Sequence, residues 1–164
     1  MSDDTPSKVL VVGVGSRIKG DDIIGPMTCD RLRKMIAGKE EGMGFEIDII
    51  DADVMPENFG KPIKESKADR ILFIDAANMG TEPGTIMKIP RNLISSTIPT
   101  THTLPLDIFI EHIMKDVNEV TVIGVEPLQT VSFTKPSKIA LESSSRVAEM
   151  ILNWTVEDIP TLEK

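Results

Sequence analysis

Acidic side chains follow the first apolar segment of the chain, in a glycine-rich stretch where they could do chemistry. The apolar run at residues 9–12 leads through Gly15 and Gly20 to the adjacent acids Asp21 and Asp22. A strand, a glycine-rich turn and a helix in this order usually place functional groups at the carboxyl edge of a parallel sheet. Such turns often hold a phosphate, but two carboxylates at the mouth would repel one. The stretch therefore indicates carboxylate- or metal-centred chemistry.

Two further acids and a histidine follow the next apolar segments. Asp51 comes directly after the apolar-patterned residues 45–50, Asp75 ends residues 70–75, and His102 lies in a proline-flanked segment. Because neighbouring parallel strands end at one edge of the sheet, acids distant in sequence can meet there. Imidazole suits nickel, zinc or iron, and carboxylates complete the ligand shell. We therefore expect a first-row metal site at this edge.

Simpler interpretations exist for several of these residues. Asp21 is well placed to cap the helix that begins near Ile24. His112 lies inside a helical pattern and is expected to be a solvated or hydrogen-bonded helix residue, and Cys29 is expected to be a buried, inert thiol. The chain contains no phosphate-binding loop motif, no serine nucleophile elbow and no H-E-x-x-H, and its glycine spacing misses the dinucleotide motif by two residues. Serine or thiol nucleophiles are therefore poorly supported.

The elements that must position these residues alternate between strands and helices. Strands are predicted at 8–13, 45–50, 70–75, 85–89 (an edge strand) and 120–125, and helices at 24–37, 57–66, 105–115 and 136–154. Residues 94–104 are expected to form a long loop, and Ile139 is among the predicted core contacts of the last helix. This alternation predicts a single domain, 1–164, built as a three-layer α/β/α sandwich on a mostly parallel sheet of about five strands. Its folded core would span 8–154, with flexible tails at 1–7 and 155–164.

Composition excludes several classes of function. The 164 residues carry a net charge of −8, which argues against nucleic-acid and anionic-membrane partners. A single cysteine excludes an internal disulfide and favours a cytoplasmic location. The polar N-terminus does not resemble a signal peptide, and no apolar run approaches the ~20 residues of a membrane span.

Five short motifs, in order, give a more specific indication, and the match to which they belong covers about 9–154. They are GVGSRIKGDDIIGP (13–26), PEN (56–58), IDAANMG (74–80), THTLPL (101–106) and IGVEP (123–127). Together they resemble the hydrogenase maturation endopeptidases, which trim the C-terminus of the large subunit of nickel-iron hydrogenases. Ser16 stands where that family usually has Asn, and Ile23 where it usually has Gly.

The resemblance implies a fold of the phosphorylase/hydrolase-like kind and specific roles for three residues. Asp22, Asp75 and His102 match the family's metal-contacting positions, with Asp22 and Asp75 as catalytic carboxylates of an aspartyl-type or metal-assisted peptidase. The metal would be nickel carried by the substrate, so no permanently bound cofactor is expected. The implied partner is the immature large subunit of a nickel-iron hydrogenase, and the enzyme is expected to be a monomer.

Two alternatives stay open at this point. The first is a metal-dependent hydrolase of the same scaffold that acts on a different protein target. The second is a non-catalytic, Rossmann-like nucleotide-binding module, which the acidic mouth of the first loop disfavours.

Overall fold

A computed structural model describes residues 5–39, 44–99, 104–117 and 119–163. Its centre is one five-stranded sheet in the order β2-β1-β3-β5-β4. Strands β1, β2, β3 and β5 run parallel, and the short β4 pairs antiparallel with β5 at one edge. The strands are β1 (Lys8–Gly13), β2 (Glu46–Asp51), β3 (Arg70–Ala76), β4 (Ile86–Lys88) and β5 (Glu119–Val125). The predicted mostly parallel sheet is thereby confirmed.

Helices cover both faces of the sheet. The described residues form α1 (Ile24–Ala37), α2 (Gly60–Glu65), α3 (Arg91–Thr97), α4 (Leu106–Ile113) and α5 (Lys138–Leu152), with 3-10 turns at Gly20–Ile23, Pro56–Phe59 and Val156–Asp158. Helices α1 and α5 contribute to the core on one face, and α2, α3 and α4 to the core on the other. In the described ranges, no helix has the length and apolar character that crossing a membrane would require.

Strand β3 lies in the middle of the sheet, and every one of its residues is buried. Its side chains alternate between the two cores, with Phe73 on the α4 side and Leu72 on the α1 side. The Phe73 ring meets Phe109 of α4 edge-on, with 6.3 Å between ring centroids. A central parallel strand has both faces covered, which explains why its sequence is a nearly continuous apolar run.

The predicted long loop at 94–104 is wrong in its first part, because the segment Arg91–Thr97 is helix α3. Ile94 is buried in the core beside α4. The hydroxyls of Ser96 and Thr97 donate to the carbonyl oxygen of Leu93, at 3.1 and 2.7 Å, and so do not interrupt the helix. The Ser-Ser-Thr run indicated a loop because these side chains compete with helical hydrogen bonds, but here they bond back along the helix.

The ends of the chain also differ from expectation. The polar tail predicted after residue 154 instead packs against the sheet, with Val156, Ile159 and Leu162 buried. The Leu162 N–H donates to the Lys88 carbonyl of β4 at 2.8 Å, so this segment protects an edge of the sheet. At the other end, the Ser7 N–H donates to Asp69 at 2.7 Å, while residues 1–4 lie outside the described range.

One predicted core residue of the last helix is also misplaced. Ile139 of α5 is exposed, whereas Val147 and Ile151 of the same helix are buried as expected. Ile139 lies in the first turn of α5. Apolar periodicity marks the face of a helix but does not show how far the facing sheet extends along it.

Candidate active site

A pocket lies at the carboxyl edge of the sheet, where the loops after β1, β3 and β5 meet. Asp22 comes from the first of these loops and Asp75 from the end of β3. The rest of the lining is supplied by Val14, Gly15, Lys19, Val54, Ala76, Asn78, Ile98, Pro99, Pro127 and Thr130. The tertiary structure therefore brings two of the acids singled out in the sequence, Asp22 and Asp75, into one pocket.

The loop after β1 holds Asp22 through its backbone. Gly15 has φ of +146°, and a Cβ at this position would overlap the backbone carbonyl oxygen of Asp22. Only glycine allows the chain to fold back this closely. The N–H of Ser16 then donates to Asp22 Oδ2 at 2.8 Å. The half-buried Asp22 carboxylate is thus oriented by a turn that depends on the residue at 15.

The two departures from the family pattern fit this loop. Ser16 supplies its backbone N–H to Asp22, and its hydroxyl oxygen accepts from the N–H of Ile18 at 3.2 Å. Ile23 is buried with φ of −69°, an ordinary helical value that needs no glycine. Ser16 and Ile23 are therefore both compatible with a loop that holds Asp22 at the pocket.

Asp75 is almost completely enclosed, with 5% of the residue exposed. Burial raises its pKa well above the usual aspartate value, and the negative charge of Asp22 raises it further, while a hydrogen bond from the Ala76 N–H opposes the shift. Desolvation and a like charge both disfavour the ionised form. Asp75 therefore holds a proton at pH values where an ordinary aspartate has lost it.

Two carboxyl groups with different environments in one pocket can do acid–base or metal chemistry. Asp22 is half-buried and Asp75 is buried, so the two carboxyl groups differ in their access to water. A cation at the pocket would relieve the repulsion between them, and carboxylate oxygens are suitable ligands for it. In the ranges that the structure covers, no three His, Cys, Asp or Glu side chains are grouped for metal binding. The third predicted ligand, His102, lies outside the described residues.

Asp21 has a different role from its neighbour. It does not cap its own helix, as the sequence suggested: no side-chain cap is present at the start of either the 3-10 turn or α1. Its buried carboxylate instead accepts from the N–H of Ser137 at 2.7 Å, from the Ser137 hydroxyl at 2.7 Å and from the N–H of Leu128 at 2.8 Å. Asp21 therefore joins the first loop to the start of α5 and to the loop after β5.

Asp51 also ends at this edge, but it does not line the pocket. Its carboxylate pairs with Arg17, whose guanidinium also bonds both oxygens of Asp30, at 2.8 and 2.9 Å. These contacts raise the pKa of Arg17, and the same guanidinium lowers the pKa of Asp30. The arginine thus pairs with two acids outside the pocket, and Asp22 and Asp75 are the acids that line it.

Glu126 is a structural residue of the site that sequence reasoning missed. It directly follows β5 and is buried, and its Oε1 accepts from Met79 N–H at 2.9 Å, Thr81 N–H at 2.9 Å and Thr81 Oγ1 at 3.1 Å. These bonds fix the loop that leaves Asp75. Its position could have indicated this role, because Glu126 lies at the carboxyl end of β5, as Asp75 lies at the carboxyl end of β3.

The other two reactive side chains lie where the simpler interpretation placed them. Cys29 is fully buried in α1, and burial raises the pKa of its thiol to about 12. His112 is exposed on α4. Neither residue lines the pocket.

Comparison with known proteins gives the family. The family model for hydrogenase maturation protease matches residues 26–154, most of the chain. The chain belongs to the hydrogenase maturation protease family. It is 33% identical to the hydrogenase 3 maturation protease of Escherichia coli K12 over 139 residues, which cover 82% of this chain and 84% of that protein. A putative hydrogenase maturation protease of Methanocaldococcus jannaschii is 31% identical over 122 residues, 73% of this chain and 72% of that protein.

Solved structures of the same family agree with the fold. The solution structure of the E. coli endopeptidase HycI has a TM-score of 0.81 and 26% identity, covering 95% of this chain and 97% of that one. The crystal structure of a [NiFe] hydrogenase maturation protease HycI from Thermococcus kodakarensis has a TM-score of 0.78 and 27% identity, covering 91% and 92%. The protein is therefore a peptidase of the hydrogenase maturation protease family.

Proposed function

We propose that this protease removes the C-terminal extension of the large-subunit precursor of a nickel-iron hydrogenase after nickel has been inserted. Nickel carried by the precursor is the recognition element, and Asp22, Asp75 and His102 complete its coordination. The observation that carries the proposal is the pairing of Asp22 with the buried Asp75 in one pocket. Two carboxyl groups held together are costly unless a cation or a shared proton relieves them.

The protonation of Asp75 offers a way to discriminate loaded from unloaded precursor. Without a cation, burial and the charge of Asp22 raise the pKa of Asp75 and oppose its ionisation. A bound divalent ion reverses this balance, because a positive charge nearby favours the carboxylate. Only a precursor that brings nickel would then convert both acids into ligands and hold its scissile peptide bond in the pocket.

Water activation is assigned to this pocket on chemical grounds. Asp22 is the half-buried acid and can accept a proton from a water at the mouth, and the nickel ion can polarise the substrate carbonyl or the water. Nucleophilic catalysis by the thiol is not part of the proposal, because Cys29 is buried away from the pocket with a raised pKa.

The decisive experiment compares two precursors. The protein is incubated with nickel-loaded and nickel-free large-subunit precursor, and intact-mass spectrometry follows the C-terminus. We expect mass loss only from the loaded form, and Asp22→Asn, Asp75→Asn and His102→Ala each to abolish it. Cleavage that is insensitive to nickel would support a metal-dependent hydrolase with another target. Near wild-type processing by any of these variants would remove that residue from the site.

The remaining expectations belong to the same proposal. A single cysteine with no possible internal disulfide fits the reducing cytoplasm, where we place the enzyme, acting as a monomer. A nucleotide-binding role would instead predict thermal stabilisation by nucleotides without a response to divalent ions. The two acids in the pocket disfavour that role, since they repel phosphate.

A further inference from the structure

Most of the large apolar side chains that are exposed belong to loops that line the pocket. In the described part of the chain the exposed members are Ile18, Met55, Ile108, Leu128, Val131, Phe133 and Ile139. Four of the seven are immediate sequence neighbours of a residue that lines the pocket, and a fifth, Phe133, lies in the same loop as Val131. Exposed apolar groups collected in one place indicate a binding surface, whereas scattered ones do not.

Two loops bring most of these side chains together. The Phe133 N–H donates to the carbonyl oxygen of Ile18 at 2.6 Å, and the Asp21 N–H donates to the carbonyl oxygen of Gln129 at 2.9 Å. The loop after β1 and the loop after β5 are therefore joined edge to edge beside the pocket. We call the exposed set Ile18, Leu128, Val131 and Phe133 the apolar rim.

The loop that carries most of the apolar rim is built around the side chain of Gln129. Gln129 Oε1 accepts from the Val131 N–H at 2.8 Å and from Thr134 Oγ1 at 2.9 Å, and Nε2 donates to the Lys135 carbonyl at 3.1 Å. Asp21 fastens the same loop at Leu128. These bonds hold the apolar side chains outward in a defined arrangement.

Phe133 is the least expected residue of the apolar rim. Phe133 is 85% exposed. Its backbone has φ of +62°, a conformation that bulky residues seldom adopt. Asparagine or glycine would suit the turn better and would not expose a ring to water. The ring therefore contributes nothing evident to the free protein, which indicates that something covers it in a complex.

We propose that the apolar rim is a docking surface for an apolar segment of the precursor polypeptide, next to the bond held at Asp22 and Asp75. The inference rests on the proposed function, because the occupant is the hydrogenase large subunit. We choose the precursor as the occupant because the apolar rim is continuous with the pocket. Lys19 and Thr130 line the pocket and lie in the two loops that form the rim. A polypeptide that enters the pocket on the side of Lys19 and Thr130 would pass over these loops. Residues 16–19 and 127–137 contain no acid, although the chain has 26, so no carboxylate of these segments interrupts the apolar surface.

Substitution of Phe133→Asn in the full-length protein tests the surface. Asparagine removes the ring and tolerates the positive φ, so the melting temperature is expected to stay the same or rise. With nickel-loaded precursor as the substrate, we expect KM to rise about tenfold because the buried ring is lost, with kcat within about twofold of wild type. Val131→Asn, at a position without positive φ, is the second variant and is expected to raise KM in the same direction.

Ile108→Asn is the matched control. Ile108 is 50% exposed on α4, and no α4 residue lines the pocket. This variant is expected to keep the wild-type KM. If wild type cleaves the precursor and both rim variants keep its KM, the docking surface is wrong and the proposed function stands. If wild type neither binds nor cleaves the loaded precursor, both proposals fall. A wild-type dimer that becomes a monomer on Phe133→Asn, with KM unchanged, would show that the apolar rim joins two copies instead.

Discussion

The carboxylate of Asp21 accepts two hydrogen bonds from Ser137, although 116 residues separate them in the chain. The neighbouring Asp22 makes no such connection and instead lines the pocket. The adjacent acids therefore have separate surroundings: Asp21 holds the first loop to α5, and Asp22 faces the pocket. This division can be measured, because substitutions at 21 and 22 should affect different properties.

We expect Asp21→Asn to lower the free energy of unfolding by about 1–3 kcal/mol, because the amide nitrogen cannot accept the bonds that both carboxylate oxygens now accept. Chemical denaturation with precursor absent measures this. Asp22→Asn is the matched control and should change stability by less than about 1 kcal/mol, since it retains an oxygen for the Ser16 N–H. Equal destabilisation by both variants would contradict the division.

Activity should show the opposite pattern. Asp22→Asn and Asp75→Asn are expected to reduce precursor cleavage by at least about a hundredfold, a loss typical for removing a general base or metal ligand. Single-turnover cleavage followed by intact-mass spectrometry gives the rate. Circular dichroism should show both variants folded, so that a lost rate cannot be attributed to unfolding.

The buried Asp75 should make stability depend on pH in a defined direction. Its folded pKa is raised above the unfolded value, so the native state binds more protons than the unfolded state once pH exceeds about 4. Stability from this group is present at low pH and is lost as pH rises toward the folded pKa. In metal-free buffer, Asp75→Asn should therefore gain in melting temperature over wild type from pH 5 to pH 8. A constant difference would show that Asp75 is not the titrating group.

Glu126 should act by positioning the loop that follows Asp75. Its three bonds all end on Oε1, an oxygen that glutamine also carries. Glu126→Ala should lower kcat/KM about tenfold or more because the loop at Met79 and Thr81 loses its anchor. Glu126→Gln should restore most of that loss. A glutamine variant as impaired as the alanine variant would indicate that the charge itself is required.

Cys29 should be dispensable for cleavage. The thiol is buried and its pKa is raised to about 12, so a thiol reagent at pH 8 should label the native protein far more slowly than the unfolded one. Cys29→Ala should retain the wild-type cleavage rate, with a modest loss of stability from the small cavity. Loss of cleavage in a folded Cys29→Ala protein would require a different mechanism.

The sequence by itself determined the parts of this protein that depend on local periodicity. The apolar runs of β1, β3 and β5 and the amphipathic patterns of α1, α4 and α5 predicted a three-layer α/β fold, because a buried parallel strand and a half-buried helix each require their own spacing. The ordered motifs indicated the family and singled out Asp22 and Asp75. Predictions from local sequence were wrong where tertiary contacts decided the structure. The serine-rich segment is helix α3 and not a loop, and the polar C-terminal segment covers β4 and is not a free tail.

Only the tertiary structure decided what neighbouring acids do. Spacing could not distinguish Asp21 from Asp22, or Asp51 from Asp75, because each acid simply follows a strand. Their roles depend on distant partners: Ser137 for Asp21, Arg17 for Asp51, and the enclosing pocket for Asp75. The raised pKa of Asp75 likewise depends on desolvation and on the charge of Asp22, which arise only when the sheet and its loops enclose the pocket.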